Sequence, residues 1–303
     1  MWFKNLTIYK LRSLTDSALL LSAALEKNAL GEHLSGEHEW VGWVSPRNDG
    51  ELVYKAKSSQ SNLSQFLLTL AISSKALPSS VVNLATAEAA EKQAEAQGFS
   101  LGRKAMKALK ERIISELLPR AFINVKRVNV WIDAEHGLLA IDTTSPSVAD
   151  LVLKFLIKTE KFDIQSLRTT LSAQAAMTSW IERDESPSAF TIDQDAKLVA
   201  QNGSKATVKY SHQSLGGDAQ AHISVGKQCV ELALTWQSKV SFVLTSAMTI
   251  KRIKPLDILQ EGKEQSGDAQ ERFDSDFFLM TSELASLVSD LTEALGGFVS
   301  TGD

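Results

Sequence analysis

Residues 79–118 read SSVVNLATAEAAEKQAEAQGFSLGRKAMKALKERIISELL, and this stretch decides the fold. Its first half is built from Ala, Glu, Lys and Gln, which favour helix but offer few bulky groups to a core. Ser79 and Ser80 stand where a side chain could cap that helix by accepting orphan backbone N–H bonds. Gly98 and Gly102 interrupt it. Met106, Leu109, Ile113 and Leu117 then recur at spacings of three and four, one apolar stripe opposite Arg103, Lys107 and Lys110. Pro119 stops the run. The reading is a basic helical hairpin that projects from the body, because it carries too little apolar surface to be wrapped by one.

Strand patterns flank this insert. Upstream, residues 2–11 alternate through Phe3, Leu6 and Ile8, residues 16–30 read as a helix with Gly31 as its C-cap, and 51–57 and 65–73 read as strands. The run FLLTLAI at 66–72 is almost continuously apolar and should be buried. Downstream, VKRVNVWIDA from Asn124 and LLAIDTT from Leu138 form a hairpin turning at Gly137. A helix over 146–160 follows, with Val148, Leu151, Val152, Phe155 and Leu156 inward, then a short returning strand and a helix over 168–183. The segment ERDESPS at 182–188 reads as a linker.

Beyond it the chain looks β-rich. Val230, Leu232, Leu234 and Trp236 share one face at period two, and Val240, Phe242 and Leu244 repeat the pattern across a short turn. Residues 261–270 read as an acidic loop. A terminal helix should begin near Ser282 and Glu283, bury Leu284, Leu287, Leu291 and Leu295, and stop at Gly296. The expected class is α+β, with three parts. A mixed-sheet central domain takes 1–77 with 117–182, the helical insert takes 78–116, and a C-terminal domain ending in a helix takes 183–303.

The chain has 303 residues, 44% of them hydrophobic, and one cysteine. That excludes a disordered, collagenous or disulfide-stapled protein. No apolar run approaches the ~20 residues that a bilayer requires, and the N-terminus lacks a signal-peptide pattern. A cytoplasmic protein without a membrane partner is expected. The net charge of −4 argues against nucleic acid until it is divided by position. Residues 98–130 hold eight bases against two acids, and 197–254 again hold eight against two. Residues 255–303 hold eleven acids against two bases, which hides both basic regions in the total.

Catalytic signals are weak. Gly203-Ser204-Lys205 and Gly102-Arg103-Lys104 lack the glycine spacing of a phosphate-binding loop, and there is no GxSxG elbow. Asp133, Glu135 and His136 could offer carboxylate and imidazole to a metal, but they also suit an ordinary polar turn. His33 and His38 are five apart and miss the helical zinc spacing. Asp274 and Asp276 could hold Mg2+ for a nuclease, against the alternative of a solvated loop before a helix. Cys229 lies beside apolar strands and reads as a small core residue. No cofactor is implied.

Several words nevertheless occur in a particular order: WFKNL at 2–6, LLPRAF at 117–122, WID with a following GLL at 131–139, RFDSDFFLMTSELASL at 272–287 and LGG at 295–297. Together they resemble the bacterial RdgC family of recombination-associated proteins over essentially the whole chain. The resemblance implies a non-catalytic, ring-shaped homodimer that encircles double-stranded DNA with little sequence preference, takes single strands more weakly, and restrains the RecA recombinase on the nucleoid. By position it implies Leu117, Leu118, Arg120 and Phe122 at an inter-subunit gate, the alternative for Phe122 being a core residue. The DNA-facing candidates are Lys104, Lys107, Lys110, Lys126, Arg127, Lys209, Gln213, Lys227, Lys251 and Arg252. The acidic C-terminal helix remains an alternative protein-binding surface.

Overall fold

A computed structural model describes residues 2–12, 18–31, 38–57, 64–159, 162–259 and 268–299. Strand β1 (Asn5–Leu11) organises the molecule, because its two faces feed two different cores. Leu6 and Ile8 enter one hydrophobic cluster, and Leu11 enters the other. Its edges are shared as well: one pairs with β6 (Leu138–Ile141), the other with β12 (Ile250–Pro255) near the start and β7 (Ile164–Ser166) near the end.

On one side of β1 lie β2 (Glu39–Val44), β3 (Tyr54–Lys57), β4 (Ser64–Ala76) and β5 (Phe122–Asp133). On the other lie β8 (Phe190–Ala200), β9 (Thr207–Tyr210), β10 (Lys227–Trp236) and β11 (Val240–Thr245). The continuous order is β2-β4-β5-β6-β1-β12-β11-β10-β8-β9. Every pairing between these strands is antiparallel, which corrects the expected mixed sheet. An apolar run such as residues 66–72 reports that both faces of a strand are covered, and it carries no information about strand direction. Phe66, Leu68 and Leu70 enter the second cluster while Leu67 enters the first.

Helices α1 (Ala18–Glu26) and α4 (Pro146–Thr159) supply Leu25, Ala149, Val152 and Leu156 to the second cluster. Val148, Leu151 and Phe155 are only partly buried against it. Helix α1 ends before Leu30, whose N–H donates to the Trp43 carbonyl, so Gly31 is not its cap. The glycine that geometry demands is Gly42, where a Cβ would stand 2.4 Å from the Leu30 backbone. The Asp16 start of that expected helix, and His33, lie outside the described residues.

The other face is covered by α5 (Ala173–Arg183), α6 (Gly216–Ser224) and α7 (Ala269–Ala294). Helix α5 starts later than expected, at a cap where Ser172 Oγ accepts the Ala175 N–H. Helix α7 starts well before Ser282, at a capping box between Asp268 and Glu271. Its buried stripe already includes Phe277 and Met280, and acids in the first turns are favoured by the helix dipole. Those acids had made the segment look like a loop; residues 261–267 of that expected loop lie outside the described residues. At the other end Leu284, Leu287, Leu291 and Leu295 are buried, and Gly296 follows at φ 80. Val230 is half-buried and out of step with Leu232, Leu234 and Trp236, because a bulge separates Cys229 from Glu231.

Strands β4 and β5 continue as a ribbon to the pair Ala76–Phe122, and α2 (Ser79–Gln97) and α3 (Arg103–Leu117) are inserted at its end. The two helices pack through a small cluster of their own, Ala90 with Leu109 and Ile113, separate from both main cores. Ser79 and Ser80 lie inside α2 and do not cap it; Pro78 occupies the cap and its carbonyl accepts the Val81 and Val82 N–H groups. Gly98, at φ 75, ends α2 and bonds back to Ala94.

Candidate nucleic-acid interface

Helix α3 places its bases on the side away from its buried residues. With 3.6 residues per turn, Lys104 and Lys107 point away from Leu109 and Ile113, and Lys110 stands at the flank. All three are exposed. Lys110 Nζ donates to Asn83 Oδ1 at 3.0 Å, while Lys107 lies 4.0 Å from Glu111 with both side chains largely in solvent. A pair so exposed neutralises little of the helix's field.

The ribbon beside it is bare. Residues 122–127 of β5 are all exposed, and among the described residues β5 pairs only with β4 until Val130 meets β6. Phe122 is 87% exposed, with Ile123 and Val125 about half in water, so Phe122 is not a core residue. Arg120 is exposed next to it, but Leu118 is buried and Leu117 packs into the hairpin cluster. Of the four expected gate residues, two therefore face outward and two turn inward. Lys126 is exposed; Arg127 is committed elsewhere, its guanidinium donating to Ser45 O and, at 3.2 Å, to Asn48 Oδ1.

A second basic surface lies on the sheet face opposite the first core. Lys209 stands opposite Lys197, and Lys197 stands opposite Glu231. Glu231 holds Lys251 Nζ at 2.7 Å. At the neighbouring bulge Arg252, with φ 56, reaches Asp195 at 3.8 Å. Asp195 also accepts the His212 N–H, and the adjacent Gln213 donates its own N–H to Gln194 O. Lys227 does not join them. It precedes Cys229 by two residues, faces the core side, and meets His222 of α6 at 3.1 Å. Lys197 was missed in the sequence, although its place between buried Ala196 and Leu198 was a period-two signal.

The expected metal and nucleophile candidates have structural partners. Asp133 is fully buried; its Oδ1 accepts the N–H groups of Glu135 and His136, and its Oδ2 lies 2.7 Å from His136 Nδ1. This is the polar turn that closes the β5–β6 hairpin. Asp274 and Asp276 lie within α7, not in a loop, and two residues apart they project about 200° apart around the axis. Asp274 accepts the Tyr54 hydroxyl at 2.8 Å and lies 3.5 Å from Arg47. Burial, reinforced by Asp274, pushes the Tyr54 hydroxyl pKa well above its ordinary value. Burial likewise pushes the Cys229 thiol up to about 12, which leaves it without a nucleophilic thiolate at neutral pH. Among the described residues no group of three or more His, Cys, Asp or Glu side chains could hold a metal ion.

A family model described as "Putative exonuclease, RdgC" matches residues 1–298. The chain belongs to the RdgC family. It is 45% identical over 303 residues to the recombination-associated protein RdgC of Janthinobacterium sp. (strain Marseille), covering 99% of both chains. It is 44% identical over 301 residues to the protein of that name from Herminiimonas arsenicoxydans, covering 98% of both. The same identity relates it to the Cupriavidus pinatubonensis protein, across 98% of this chain and 99% of the other. A recombination-associated role thus accompanies the RdgC fold, and no described helix is long and apolar enough to cross a membrane.

Proposed function

We propose that this chain is a sequence-nonspecific DNA-binding protein that acts without catalysis. Two copies close as a ring around double-stranded DNA, take single strands more weakly, and restrain RecA-driven strand exchange on the nucleoid in the cytoplasm. The observation that carries this reading is the exposed lysine row of α3 beside a bare apolar ribbon at Phe122, Ile123 and Val125. Cations on a projecting hairpin release condensed counterions from phosphate and give affinity without reading bases. An exposed strand edge with large apolar side chains is a surface for a second chain. Arg120 and Phe122 belong to that gate, while Leu117 and Leu118 support it from within the hairpin.

The test is a gel-shift titration of duplex DNA across rising salt, alongside RecA strand exchange with and without the protein. Affinity should fall steeply with salt, and exchange should slow once the duplex is covered. Absence of duplex binding at low salt would sink the reading. Incubation of linear DNA with Mg2+ should release no nucleotides; steady release from the ends would replace the reading with an exonuclease.

A further inference from the structure

A cleft of about 410 Å3 separates the turn of the β5–β6 hairpin from the middle of α7. Along α7, Phe278, Ser282, Ser286 and Asp290 recur every four residues and so share one face, which forms one wall. The hydroxyls of that wall are spent inward. Thr281 Oγ1 donates to Phe278 O at 3.2 Å, Ser282 Oγ to Leu279 O at 3.2 Å and Ser286 Oγ to Ser282 O at 3.0 Å, which leaves their oxygens as acceptors. Asp290 is partly buried, and its Oδ2 accepts both the Trp236 Nε1–H at 2.8 Å and the Gln237 Nε2–H at 3.1 Å. Among the described residues its Oδ1 takes no bond and no cation pairs with it. On the opposite wall the fully buried Asp133 accepts the Nδ1–H of His136 at 2.7 Å, so in the neutral ring Nε2 is the acceptor that remains. No Lys or Arg stands among the described residues that line the cleft.

We infer that this cleft binds a linear aliphatic polyamine. A wall of acceptors around an unpaired carboxylate calls for a ligand with positive charge and donors, and an alkylammonium offers three N–H donors and no acceptor. Gln65, whose Oε1 accepts the Trp131 Nε1–H, keeps only its amide N–H groups to offer, a donor outnumbered by these acceptors. Phe278 is 46% exposed at the far end of the row, where its ring can take a second ammonium or the methylene chain. At 1.5 Å per residue, Asp290 and Ser282 stand ~12 Å apart along the axis, which an extended chain with an ammonium at each end spans and a single short amine does not. The cleft shares none of its described lining with α3 or with residues 122–127 of β5, so the inference does not rest on the proposed function.

The test is calorimetric titration of the full chain, without DNA, with three probes: spermidine, 1,8-octanediol as an uncharged chain, and a lysine-rich peptide. Spermidine should bind saturably at one equivalent, and the diol should not bind. Asp290→Asn removes the charge but keeps an oxygen for Trp236, and it should weaken spermidine at least about tenfold, the loss of one charge-assisted bond. Ser286→Leu, a change at an exposed position, should fill the cleft and abolish the saturable phase. Should Asp290→Asn fail to fold, Ser286→Leu alone decides. Weak binding at many sites that neither substitution alters overturns the inference, because an acidic surface attracts any polycation. Equal binding of the diol overturns it as well. A peptide that binds more tightly than spermidine, and loses that binding with the same substitutions, would give the cleft to a partner's lysine and overturn the polyamine. With no DNA present, a failure of duplex binding counts against the proposed function only.

Discussion

The stretch 98–130, which contains α3, and the stretch 197–254, which contains most of the C-terminal strands, hold the same eight-to-two excess of bases over acids in sequence, yet α3 and the outer face of those strands present different fields. On α3 the nearest acids are Glu111 and Glu116, both exposed and one helical turn away from their partners. On the sheet, Glu231 meets Lys251 at 2.7 Å and Asp195 approaches Arg252. Even Lys239 is taken by Glu283 of α7 at 3.1 Å, an acid from the C-terminal stretch. A strand's neighbours come from elsewhere in the chain, so a charge count along the sequence omits the acids that folding delivers. A solvent-facing helix keeps the local count. Under the proposed function, the DNA-binding work is therefore expected of the hairpin, with the sheet in a minor part.

The largest effect that would break this comparison comes from reversing Lys104, Lys107 and Lys110 to Glu together. Duplex affinity near 0.1 M salt should fall on the order of 100-fold, and the salt slope should drop by about three. An unchanged affinity would move the site off the hairpin. Next comes Phe122→Asp, which sets a charge into the apolar ribbon. If the gate is built there, the dimer dissociation constant measured by sedimentation should rise about 30-fold or more, the scale of losing an aromatic hot spot. An unaltered constant refutes the placement. Because Phe122 is exposed in the single chain, stability of the monomer should hardly change.

How legible these regions were in the sequence differs in a similar way. The hairpin was readable because helical periodicity and propensity are local: Gly98, Gly102 and Pro119 marked its bounds, and Leu109 and Ile113 marked its buried side. The start of α7 was not readable from the acids and polar residues around Asp274, because an acidic first turn and an acidic loop have the same composition. Only Phe273, Phe277 and Met280, at helical spacing, distinguished them. The role of β1 as the hinge of one continuous antiparallel sheet was invisible, since Leu6 and Leu11 give no hint that they enter different cores. Among the site residues, exposure at Lys104, Lys107 and Phe122 could be argued from pattern. The capture of Arg127 by Ser45 and Asn48 could not, because it depends on a loop far away in sequence. The placement of Lys227 beside α6 was hidden for a related reason: strand parity sets its face, and only the finished sheet shows which face meets α6.

On the sheet, the paired double change Lys251→Gln with Arg252→Gln should weaken duplex binding by less than about threefold, since both cations already have carboxylate partners. A loss comparable to that of the α3 triple change would erase the difference between the two surfaces.

The smallest effect is also the most discriminating, because its sign is opposite. Glu231→Gln removes the carboxylate that holds Lys251 while keeping the side chain's size and a hydrogen-bond acceptor. Both groups are partly exposed, at 33% for the glutamate and 21% for the lysine, so the lost ion pair costs at most about 1 kcal/mol of stability. Meanwhile Lys251, together with Lys197 opposite position 231 and Lys209 opposite Lys197, regains a positive field on that face. If sheet cations are weak because folding pairs them, this variant should bind duplex about twofold more tightly at low salt, and the gain should vanish as the Debye length shrinks below the distance to the phosphates. A gel shift at two salt concentrations measures it. Tighter binding that persists at high salt would mean a contact other than charge, and weaker binding would mean that Glu231 organises the surface in place of muting it.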